Sequence, residues 1–75
     1  MSDNTLINPF PHFAYKDGTL YRLDLSYRKS IKSDMFVWIL TYVGDKGILY
    51  RAEHTDTAKL LRDFEKFCKE NKIVK

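Results

Sequence analysis

The sequence predicts an α+β domain: a small antiparallel sheet of three to four strands in a meander, packed on one face by a C-terminal helix. Three patterns carry this. Residues 21–28 alternate apolar with polar side chains, as a strand with one covered side does, and residues 48–54 alternate again. Residues 35–43 are almost continuously apolar, as in a central strand, and Leu60, Leu61, Phe64, Phe67 and Cys68 recur at helical spacing.

The elements follow in order along the chain. Both prolines lie in Asn8-Pro9-Phe10-Pro11, and each biases the residue before it toward extended backbone, so residues 1–11 read as an extended arm. The arm is expected to fray before Asn8, with Phe10 available to dock. Next, Tyr15-Lys16-Asp17-Gly18-Thr19 marks a hairpin. A three-residue loop with Gly18 at a left-handed position would pair Phe13 with Tyr21 and Tyr15 with Thr19. This loop is preferred over a two-residue one because it turns Phe13 and Tyr15 to the same side as Tyr21, Leu23, Leu25 and Tyr27.

After the polar, basic connection 29–34 comes Met35 to Val43, then Gly44-Asp45-Lys46-Gly47 as a second hairpin turn. An unbroken register sets Val43 opposite Ile48, Thr41 opposite Tyr50 and Ile39 opposite Ala52. In that register Val37, Ile39 and Val43 look into the core, and Phe36, Trp38, Leu40 and Tyr42 look away from it. Thr55-Asp56-Thr57 supplies N-cap oxygens for the helix, Asn71 is positioned to end it in a left-handed turn, and Ile73 and Val74 fold back onto the sheet edge. One helix covers one face. The helix side would hold Phe13, Tyr21, Leu23, Leu25, Ile39, Val43, Ile48 and Tyr50, and the other side would be open.

At 75 residues, with 44% apolar and 31% charged residues, residues 1–75 form one small domain. Cys68 is the only cysteine, which excludes a disulfide scaffold and points to a reducing, cytoplasmic location. Neither a signal-peptide pattern nor an apolar run long enough for the bilayer is present, so no membrane contact is expected. The net charge is +3, with the positive excess in residues 28–34 and in the C-terminal segment.

Catalytic motifs are missing: there is no glycine-rich phosphate loop, no G-x-S-x-G and no H-E-x-x-H. The best catalytic set would join His54 with Glu53 or Asp56 and a distant Ser26 or Ser33. A residue beside a helix start is more simply a cap or its neighbour. His12, His54 and Cys68 lack the paired spacing of zinc ligands, and Cys68 on the apolar stripe reads as a buried, inert thiol. The expectation is a protein that is not an enzyme and carries no metal or cofactor.

What remains is binding. Phe36, Trp38, Leu40 and Tyr42, with Arg51 beside them, have the composition of an interface core. They predict an adaptor or inhibitor that docks another protein, with a homodimer as a further form of contact. The opposing expectation is that Phe10, Ile73 and Val74 fold over this face and complete the core. A second binding reading uses the basic loop: Arg28, Lys29 and Lys32, with Arg51, would hold nucleic acid beside the aromatic face. Single strands are bound by stacking together with backbone neutralisation, so that reading gains if loop and aromatics adjoin.

Overall fold

The computed structural model describes residues 10–75. Four strands, β1 (Phe13–Lys16), β2 (Thr19–Lys29), β3 (Phe36–Gly44) and β4 (Gly47–His54), precede one helix, α1 (Thr57–Asn71). The strands form an antiparallel sheet in the order β1-β2-β3-β4, and α1 lies on one face, giving the expected α+β meander. The expected arm, residues 1–11, falls mostly outside the described residues. Its last part is ordered by packing: Phe10 is buried and meets Phe64 edge-on at 6.5 Å, and the Tyr42 hydroxyl donates to the Pro11 carbonyl.

The first hairpin differs from the expectation. Asp17 and Gly18 both take positive φ, 52° and 78°, which is the two-residue turn whose twist matches that of its strands. Lys16 therefore pairs with Thr19, Tyr15 with Leu20, Ala14 with Tyr21 and Phe13 with Arg22. Phe13 and Tyr15 are turned to the side away from the helix and are half exposed, while Ala14 is buried against the core.

The second hairpin overturns the expected faces of β3. Val43 does pair with Ile48, but the register then shifts between Tyr42 and Val43. Tyr42 faces Tyr50, Leu40 faces Ala52 and Trp38 faces His54. One extra residue in β4 reverses every side chain beyond it relative to an unbroken ladder. Phe36, Trp38, Leu40 and Tyr42 thus share the helix side with Leu23 and Leu25, and Val37, Ile39, Thr41 and Val43 line the reverse side in register with Arg22, Asp24, Ser26 and Arg28. Leu40 and Tyr42, expected outside, are fully buried. Ile48, expected inside, is mostly exposed.

The core is built where the helix meets this face. Tyr42 stacks on Phe64 with ring centroids 4.5 Å apart and planes 2° from parallel, and Tyr50 meets Phe64 at 5.5 Å and Phe67 at 4.7 Å. Leu60, Phe64 and Cys68 are the buried ridge of α1. The ends of α1 are closed. The Asp56 carboxylate accepts from the Ala58 N–H at 2.9 Å. Lys72, rather than the expected Asn71, takes the left-handed position at φ 55°, and the Ile73 N–H reaches the Cys68 carbonyl at 3.0 Å. As expected, the tail then returns to the sheet: Tyr15 and Val74 exchange two backbone hydrogen bonds of 2.8 and 3.1 Å along the free side of β1.

Gly44 is a packing glycine. A Cβ there would lie 2.6 Å from the Tyr21 ring and 2.7 Å from the Leu20 carbonyl oxygen, so only glycine lets Tyr21 lie across the strand.

Candidate functional site

The helix is shorter than the sheet it covers. Fifteen helical residues span about 22 Å at 1.5 Å each. The eleven residues of β2 span roughly 36 Å. The far end of the helix side, where β2 turns into β3, is left without a cover. Tyr27 and Phe36 there are 55% and 51% exposed, and Trp38 is half-buried at the margin of the core. The rings touch: Tyr27 lies 4.8 Å from Trp38 and 5.6 Å from Phe36, centroid to centroid.

The connecting loop carries two further exposed apolar side chains. Ile31 is 93% exposed and Met35 60%. The Ser30 N–H donates to the Met35 carbonyl at 2.9 Å, closing the loop. Ser30 Oγ accepts from the Lys32 N–H, and Ser33 Oγ accepts from the Met35 N–H. The Ser30 and Ser33 hydroxyls thus shape the loop itself, and Ser30 Oγ also donates to Glu53 at 3.4 Å.

The predicted site residues are divided among three places. Phe36 and Trp38 come together with Tyr27, which alternation alone had assigned to the core. Leu40 and Tyr42 belong to the core beneath α1. Arg51 pairs with Thr41 on the reverse face and forms an ion pair with Glu53 at 2.7 Å, away from the aromatic end. Of the basic loop, Lys29 pairs with Phe36 on the aromatic side, Lys32 is exposed in the loop, and Arg28 pairs with Val37 on the reverse side. Sequence reasoning missed Tyr27 as a site residue, because its alternation with Leu23 and Leu25 marks it only as lying on the covered side.

The other candidate groups have structural partners. His54 Nδ1 accepts from the Asp56 N–H at 3.2 Å, and Asp56 caps the helix. Cys68 is buried, and burial pushes its thiol up, keeping it protonated. Among the described residues no group of three His, Cys, Asp or Glu is placed to hold a metal ion, and no helix is long and apolar enough to cross a membrane. The chain matches no family model, no curated protein and no solved structure at a significant level.

Proposed function

We propose that the protein is a non-enzymatic interaction module that holds a partner protein at the bare end of the helix side. Tyr27, Phe36 and Trp38 form the anchor, with Ile31 of the adjoining loop as an aliphatic contact. The observation that carries this reading is the three-ring cluster beyond the reach of α1. Interface cores favour aromatic residues, and exposed apolar groups gathered in one place mark binding surfaces. Lys29 and Lys32 border the patch, so the partner is a segment with apolar anchors flanked by Asp or Glu.

One observation favours a second reading: Lys29 lies on the ring side, where stacked bases and a phosphate backbone would both find contacts. The exposed Ile31 tells against it, since an aliphatic side chain gives bases no ring to stack on.

A peptide array of apolar cores with acidic or basic flanks, probed with the wild-type protein and with Phe36→Ala, tests the proposal; an oligothymidine titration runs beside it. Retention on acid-flanked peptides that Phe36→Ala loses is the expected result. Binding to the oligonucleotide alone, weakening steeply with salt, transfers the site to nucleic acid, and no retention on any peptide overturns the protein-binding reading.

A further inference from the structure

The two edges of the sheet are finished differently. The free side of β1 is closed by the backbone exchange between Tyr15 and Val74. β4 pairs with β3 on one side only, and among the described residues no strand lies on its other side. Backbone N–H and C=O groups along such an edge are a template for another strand.

The sequence of that edge is complementary to itself. Arg51, Ala52 and Glu53 are consecutive, and Arg51 and Glu53 project on the same face, opposite to α1. If a second β4 pairs antiparallel about a two-fold axis through Ala52, then Arg51 of each copy stands opposite Glu53 of the other. Residues directly opposite in an antiparallel pair bring their Cβ atoms within roughly 5 Å, close enough for ion pairing. On the helix side the same axis places Tyr50 opposite His54. Any other centre near the middle of the strand loses this match: a two-fold through Arg51 or through Glu53 sets like charges face to face.

We propose that the protein forms an isologous homodimer through β4, centred on Ala52, so that two four-stranded sheets join into one of eight strands. The occupant of the bare edge is a second copy of this chain, selected by charge complementarity. Each Glu53 carboxylate then lies between its own Arg51, already 2.7 Å away, and that of the other copy. This inference is independent of the partner-binding surface but has a consequence for it. In the joined sheet the two aromatic ends lie on one face, roughly 20–30 Å apart by strand spacing and rise, which makes the dimer bivalent.

Sedimentation equilibrium on the full chain tests the proposal through three charge variants and one control. The wild type is expected to pass reversibly from its monomer mass of 8.9 kDa to twice that value. Arg51→Glu and Glu53→Arg should each raise the dimer dissociation constant by about tenfold or more, since each sets two like-charge pairs across the axis. Mixed in equal amounts, the two variants should associate with each other, because one strand then carries two acids and the other two bases. The double swap, Arg51→Glu with Glu53→Arg, should restore self-association, and circular dichroism establishes that every variant is folded.

Phe36→Ala should dimerise as the wild type does, and this separates the edge from the aromatic end. A wild-type monomer at about 1 mM, the weak limit of specific association, overturns the proposal. So do a dimer indifferent to both reversals, two variants that fail to associate when mixed, or a monomeric Phe36→Ala.

Discussion

Tyr42 shows how much one side chain decides here. Its ring stacks on Phe64, and its hydroxyl holds the Pro11 carbonyl and so ties the arm to the sheet. Burial, with a smaller contribution from Cys68, pushes its phenol well above the ordinary value of about 10. Burial, then Asp63 and Cys68, raises Tyr50 as well. The sign of the linkage follows. Both groups keep their protons in the folded state at a pH where the unfolded chain has lost them. Their contribution is therefore fully present below about pH 10 and declines as pH rises through the folded values, by up to about 1.4 kcal/mol per pH unit for each group. Urea midpoints measured from pH 8 upward should fall steeply beyond about pH 10, and Tyr42→Phe should flatten that fall. An unchanged slope in the variant would assign the alkaline loss to other groups.

At the scale of elements, the turns and caps set the register, and the register chooses the faces. The Asp17-Gly18 turn and the bulge beyond Val43 each move one residue, and each reverses a row of side chains. The end of α1 carries a local cost, because Lys72 adopts a left-handed backbone that glycine accepts more readily. Lys72→Gly is expected to stabilise the fold by about 0.5–1 kcal/mol, read as an increase in the denaturation midpoint with the slope unchanged. Destabilisation would mean that the Lys72 side chain contributes more than its backbone costs.

For the whole molecule, the ring-filled core and the proposed docking patch occupy opposite ends of one sheet face. Phe64 meets Phe10, Tyr42 and Tyr50 in a core with few other large rings. Phe64→Ala should cost about 3–5 kcal/mol, comparable with the full stability of so small a domain. Phe36→Ala at the bare end should cost about 1 kcal/mol or less, since half of that side chain is already in water. Equilibrium unfolding of the two variants provides the comparison. A Phe36→Ala variant as damaged as Phe64→Ala would place Phe36 in the core and remove the basis for the aromatic docking surface.

The sequence by itself determined the class of fold, the helix and its buried ridge, the inward side of β2 and the return of the tail to the sheet edge. Those follow from local periodicity and from cap and turn residues, which act within a few positions along the chain. It did not determine which side of β3 is covered, because that strand is apolar on both sides and its alternation carries no preference. Only the tertiary structure decided it. A single bulged residue in β4 aligned Tyr50 with Tyr42 rather than with Thr41, and the larger row of Trp38, Leu40 and Tyr42 went under α1, where it buries more area. The β-branched row of Val37, Ile39 and Val43 was left among the polar side chains of β2 and β4. The candidate site was half legible for the same reason. Phe36 and Trp38 were identifiable as aromatic residues in excess of need, but the loss of Leu40 and Tyr42 to the core and the addition of Tyr27 depend on where a helix of limited length stops over a longer strand.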